Sequence, residues 1–191
     1  MNSYRLNDPN GLRTTEEAIK NIEICTSKEN IAKKIVKASI KDKGFEVNIE
    51  DHGIDNSGKF IENDSDVNAN PDWKIWMADG VTNYIAECCV HSENFKTVSF
   101  KVSKLLTASS KGSWIFVVRE NYYLAFPKDG IDYILNNYQV KNIDKVYGGK
   151  PSIILNEGDI NYLVNNNYVR KHTYTDKMKS ELQEELKAMF A

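Results

Sequence analysis

Asp72 precedes one strand-like run, Trp73 to Met77, and Glu87 lies within a second, Val81 to Val90; between the runs stands Asp79-Gly80. Asp-Gly between strand-like segments is the strongest short signal for a β-hairpin. With 79 and 80 as the loop residues, partners across the hairpin have numbers that sum to 159, which sets Asp72 opposite Glu87. Directly opposed residues share a face, with Cβ atoms roughly 4.5 to 5.5 Å apart. Two carboxylates so placed repel, and a shared proton, a basic side chain or a hard divalent cation must offset the cost. Mg²⁺ is the first candidate, with Mn²⁺ as a substitute. The simpler alternative is that Pro71-Asp72 only opens a turn. Against it, a hairpin carrying Trp73 and Trp76 belongs in a core, where carboxylates are seldom left without partners.

The elements around this hairpin must hold it in place. Thr14 and Glu17 have capping-box spacing ahead of Ala18, Ile19 and Ile22, predicting a short N-terminal helix. Ser27 then caps a second helix to about Asp42, with Ile31, Ile35 and Ala38 on one stripe and Lys33, Lys34, Lys37 and Lys41 on the polar side. Gly44 ends it, and Phe45 to Ile49 reads as a strand. Glu50 to Asn70 is rich in Asp, Asn, Gly and Ser and reads as a long loop. Beyond the hairpin, Thr97 to Val102 is extended, Ser103 caps a short helix to about Lys111, and Gly112 stops it. Trp114 to Val118 and Tyr122 to Phe126 are apolar runs of strand length. Ile131 to Tyr138 and Asp159 to Asn165 read as helical, and Ser152 to Leu155 as a strand. Met178, Leu182, Leu186 and Phe190 recur at helical spacing behind Thr175, predicting a terminal amphipathic helix.

Composition bounds the function classes. At 41% hydrophobic residues the 191-residue chain can bury a core, and a net charge of −2 excludes the strongly basic balance of proteins that hold nucleic acid by bulk charge. Any nucleic-acid contact must be a local patch, for which Lys33, Lys34, Lys37 and Lys41 are the candidates; a solvated helix face is the plainer reading of the same stripe. Three cysteines, two of them adjacent at Cys88 and Cys89, fit a reducing, cytoplasmic setting, and no apolar run is long enough for a membrane span. His91 beside the cysteine pair lacks a second pair of ligands at zinc spacing, and Gly148-Gly149-Lys150 lacks the remainder of a phosphate loop.

Pro71-Asp72 on one strand and Glu87-Cys88-Cys89 on the next resemble the PD-(D/E)XK nuclease superfamily, in which Pro-Asp opens one strand and Glu-x-Lys lies on its neighbour. The resemblance spans about residues 27 to 126 and includes the order helix, strand, carboxylate hairpin, helix, apolar strand. It implies an α/β fold of restriction-endonuclease-like or junction-resolvase-like core: a central mixed β-sheet flanked by helices. Residues 27–170 would form that core, with 1–26 and 171–191 as helical additions to a single domain. It also implies Mg²⁺-dependent hydrolysis of DNA phosphodiester bonds, with Asp72 and Glu87 as metal ligands and catalytic residues, and Glu29 in the region where the family often adds an acid. An acidic residue in a first helical turn is equally explained by the helix dipole.

One position departs from the pattern. Cys89 stands where the family has its lysine, and a neutral thiol cannot supply that positive charge. Lys101 is the first replacement, with Lys96 and Lys104 behind it. In a second register Asp72-Trp73-Lys74 is itself the D-x-K element and Asp64 or Asp66 the earlier acid. The alternative in a different class is a nuclease-like domain that binds DNA or protein without cutting. Double-strand cleavage with one site per chain would favour a homodimer.

Overall fold

In the computed structural model, which describes residues 15–52, 71–80, 82–90, 96–142 and 151–190, the first described element is a single helix, α1 (Thr15–Asp42). The expected break at Ser27 is absent. Nothing between Glu23 and Lys28 is a proline or glycine, so no residue interrupts the ladder of helical hydrogen bonds. The two segments differ in packing: Ile19 and Ile24 are exposed, whereas Ala32, Ile35, Val36 and Ser39 are buried. A boundary at 26/27 therefore falls inside a continuous helix. Thr14 of the expected capping box lies outside the described residues.

Gly44, at φ +84°, closes α1, and the chain returns as β1 (Val47–Asp51). The hairpin follows as β2 (Trp73–Met77) and β3 (Asn83–Val90), then β4 (Val98–Lys101), α2 (Val102–Lys111), β5 (Trp114–Val118) and β6 (Tyr122–Phe126). The remainder is α3 (Lys128–Asn137), β7 (Lys141–Asn142), β8 (Pro151–Leu155), α4 (Glu157–Asn165), β9 (Arg170–Thr173), α5 (Asp176–Glu181) and α6 (Gln183–Phe190). Six strands form a mixed sheet in the order β1-β2-β3-β5-β6-β9; a second sheet has the order β4-β8-β7. Neighbours in the large sheet are antiparallel except β3 and β5, which run parallel. A parallel pair requires a crossover, and β4 with α2 supplies it. The protein is thus an α/β protein with a six-stranded mixed sheet and a second small sheet, flanked by helices.

Alternation along the central strands divides the interior in two. Phe116, Val118, Tyr123 and Ala125 face α1, α5 and α6, packing with Ile35, Trp73 and Met178. Ile115, Val117, Leu124 and Phe126 face the other way, onto Leu105, Ile131, Ile153 and Leu163. Both faces are covered, which is why β5 and β6 are continuously apolar in sequence. β9 carries Arg-Lys-His-Thr, without apolar alternation, and goes unread in the sequence; it is an edge strand, where charged residues guard unpaired backbone. The terminal helix is two helices, α5 capped by the Thr175 hydroxyl and α6 following Leu182. α2 starts one residue before Ser103, with Lys101 at its N-cap and no side-chain cap. Among the described residues no helix is long and apolar enough to cross a membrane.

The hairpin register is the expected one, Trp73 against Ala86 through Trp76 against Asn83. Its turn differs. A two-residue type I′ loop needs positive φ at both central positions, and here Gly80 has φ +68° whereas Asp79 is not in that region. The Met77 N–H instead bonds the Thr82 carbonyl at 2.9 Å and the Gly80 N–H bonds the Met77 carbonyl at 3.0 Å, giving a wider loop. Asp79 accepts from both the Thr82 N–H (2.7 Å) and hydroxyl (2.5 Å), fixing it. Met77 and Thr82 also sum to 159, so the wider loop preserves the register.

Candidate active site

Asp72 sits one residue before β2, where that strand meets both its neighbours. Its carbonyl accepts from the His52 N–H at 2.9 Å, extending the β1 pairing, and its Oδ2 accepts from the Cys88 N–H of β3 at 2.7 Å. The ladder pairs that end at Trp73–Ala86 lead next to Asp72 and Glu87, and the Asp72 carboxylate reaches one residue past Glu87 along β3. Glu87 and Cys89 lie on β3 in parallel register with Ile115 and Val117; their side chains lie outside the described residues.

Lys104 approaches the same point from α2. It lies one helical turn in from Lys101, and its Nζ donates to the Cys88 carbonyl at 3.3 Å. The peptide groups on the two sides of Cys88 are therefore engaged by opposite charges: the N–H by the Asp72 carboxylate and the C=O by the Lys104 ammonium. A cation thus arrives on β3 one residue before Cys89. Lys101 stands at the end of β4, in register with Ser152. Lys96 lines a separate cleft with Arg119, Tyr122 and Lys171.

Glu29 enters from α1. Its carboxyl is pushed up to about 8, first by burial, then by the negative charge of Asp72, against the opposing pull of Lys104 and Lys33. Its Oε1 is buried and has no hydrogen-bond partner among the described residues. Lys33, one turn further along α1, pairs with Asp51 at the end of β1. Glu29, Asp72, Lys104, Lys33 and Asp51 thus gather from α1, β1, the start of β2 and α2. Asp51 is absent from the sequence-based candidates, because joining β1 to β2 across residues 53–70 requires a pairing that no local pattern states.

The chemistry of this donor set fits a hard cation. The atoms that would ligate one are carboxylate oxygens, one of them buried and without a hydrogen-bond partner among the described residues, and Glu29 is mostly protonated at neutral pH unless positive charge is added beside it. Among the described residues no group of three His, Cys, Asp or Glu side chains forms a metal site. The third carboxylate expected from the sequence is that of Glu87.

The other candidates separate from this cluster. Lys34 pairs with Glu185 of α6 at 3.5 Å and Lys41 with Glu46 at 3.8 Å, so the lysine stripe is partly neutralised; Lys37 is exposed. The Lys74 ammonium lies 4.1 Å from the centre of the Trp76 ring, towards the turn, and Asp64 and Asp66 of the alternative register lie outside the described residues, as do His91 and Gly148 to Lys150. In comparisons with known proteins, the chain matches no family model, no curated protein and no solved structure.

Proposed function

We propose that the chain is a divalent-metal-dependent nuclease with a restriction-endonuclease-like core, hydrolysing DNA phosphodiester bonds through a variant PD-(D/E)XK site. The grip on the Cys88 backbone carries the reading: Asp72 holds its N–H and Lys104 its carbonyl, so a carboxylate and an ammonium meet on β3 between Glu87 and Cys89. The β1-β2-β3 antiparallel unit joined to a parallel β5 through α2 supports the same reading, as does Glu29 on the preceding helix.

Asp72, Glu87 and Glu29 would hold Mg²⁺ or Mn²⁺. When bound, such an ion polarises the scissile phosphate and lowers the pKa of a bound water. Lys104 supplies the cation that Cys89 cannot, placed to orient a water and to stabilise negative charge building on the phosphate oxygens. Burial and the Asp72 charge set the pH at which Glu29 ionises, with Lys104, Lys33 and Asp51 as smaller contributions. Because Asp72 is half-buried and tied to the backbone, its carboxylate is oriented before substrate arrives.

Cleavage of supercoiled, linear, single-stranded and branched DNA with Mg²⁺ or Mn²⁺, comparing the wild type with Asp72→Asn, Glu87→Gln and Lys104→Ala, tests the assignment. Metal-dependent cleavage lost in all three supports it. Cleavage that survives both acid substitutions refutes the site. The second reading, a domain that binds DNA without cutting, is favoured by Cys89 itself, and DNA binding with no cleavage under any metal would select it.

A further inference from the structure

At the other end of the sheet, by the turn of the β2–β3 hairpin, is a cavity of about 380 Å³ that no part of the reading above uses. Its size is that of small-ligand pockets. Phe116 and Tyr123 form part of its floor, and Phe45 and Tyr84 stand at its mouth with 56% and 42% of their surface exposed. Large rings left that open at the mouth of an apolar cavity are costly for folding alone and suited to a planar guest.

The rim is cationic. Lys43, just after α1, and Arg170, the first residue of β9, both line the cavity, together with His172. Among the described residues neither Lys43 nor Arg170 makes an ion pair; the Arg170 guanidinium lies 5.1 Å from the centre of the Trp114 ring and Lys43 contacts the His172 ring nitrogen Nδ1. Lys43 is lowered, first by burial and then by Arg170, with Asp42 outside the cavity as the opposing charge. His172 is held down to about 4 by burial, Lys43 and Arg170, so it is neutral at physiological pH, with its Nδ1 against the Lys43 ammonium. Among the described residues no Glu or Asp lines the cavity.

We infer that this cavity binds a nucleotide: a planar base among the rings, and a phosphate monoester between Lys43 and Arg170. The charge balance selects the monoester. Its charge near neutrality is about −1.5 to −2, matching two fixed cations, whereas a carboxylate or an internal phosphodiester supplies −1. Guanidinium and ammonium together are a common phosphate clamp, and the aromatic lining takes any base face without demanding its identity. Free nucleotides and the 5′-phosphorylated end of a strand present the same group. The inference does not depend on the nuclease assignment, since it shares no residue with that site.

Calorimetric titration of the intact chain with nucleoside 5′-monophosphates, with the matching nucleosides, with inorganic phosphate, and with short oligonucleotides bearing or lacking a 5′-phosphate tests it. Monophosphates are expected to bind at sub-millimolar Kd, with nucleoside or phosphate alone each weaker by about tenfold or more. Arg170→Ala and Lys43→Ala, both at exposed positions, should each weaken binding by about tenfold. An oligonucleotide that binds only when 5′-phosphorylated identifies a strand end as the source; equal binding of the free nucleotide identifies the soluble pool. No heat with any monophosphate at several millimolar, or binding that both substitutions leave unchanged, overturns the inference. Asp72→Asn should leave this binding intact.

Discussion

Replacing Glu29 with glutamine keeps its shape and removes its ionisation. In the folded chain this carboxyl titrates at about 8, against 4.5 for an ordinary glutamate. At about 1.4 kcal/mol per pH unit, the gap is worth about 5 kcal/mol between the two protonation states. The direction follows from linkage. Below pH 4.5 the residue is protonated in both folded and unfolded chains, so wild type and Glu29→Gln should be equally stable. As pH rises, the unfolded chain releases the proton while the folded chain keeps it, and the wild type loses stability until the folded carboxyl also ionises near 8. Glu29→Gln should therefore gain on the wild type from pH 4.5 upward, by about 3 kcal/mol at neutrality, and level off above 8. Urea unfolding at half-unit pH steps in chelator gives the difference directly. Repeating it with Mg²⁺ should shrink the gain, because a cation held by all three carboxylates stabilises the wild type more than a variant that keeps only Asp72 and Glu87. A difference that stays flat from pH 4.5 to 8 would refute the account of Glu29 as a buried carboxyl beside Asp72.

Four further outcomes are expected. Lys104→Ala should lower the cleavage rate by about 100-fold or more, measured as single-turnover nicking, while Lys104→Arg, which keeps the charge, should retain more of it. Asp72→Ala should cost about 1.5 to 3 kcal/mol in chemical denaturation through the unpaired Cys88 N–H, and Asp72→Asn less, because its amide oxygen can still accept. Gly130→Ala should destabilise by about 1 to 3 kcal/mol or more, since a Cβ there overlaps the Tyr168 carbonyl oxygen, which is backbone and cannot turn away. His172, depressed to about 4, favours folding above its unfolded value near 6.5 and loses that contribution as pH falls towards 4, so His172→Gln should flatten the acid limb of a stability–pH curve.

The parts of this molecule legible in the sequence are those written locally. The 159 register of the hairpin, the stop at Gly112, the apolar runs of β5 and β6 and the Thr175 cap each depend on a few neighbouring residues. Where several solutions share one local pattern, the sequence is less exact: Asp79-Gly80 serves a wider loop as well as a tight one, because both keep the register. Ser27 is a good cap in isolation, but a cap signal does not end a helix that nothing breaks. Lys101 and Lys104 stand one turn apart in the chain, and that α2 sets the Lys104 ammonium on the Cys88 carbonyl is written in the packing of the helix on the sheet, which no local pattern states. Asp51 and β9 were invisible because their partners lie far away in sequence.

Helix α1 carries Glu29 in one cluster and hands on to Lys43 at the rim of the other cavity. At 1.5 Å per residue the separation along the axis is about 20 Å, set by a rod that does not compress. The helix is in this sense a ruler: a ligand engaging both ends must bridge that distance, and two small molecules can occupy them without meeting. Its buried residues Ala32, Ile35, Val36 and Ser39 all lie between the two ends, so the same packed stretch anchors both.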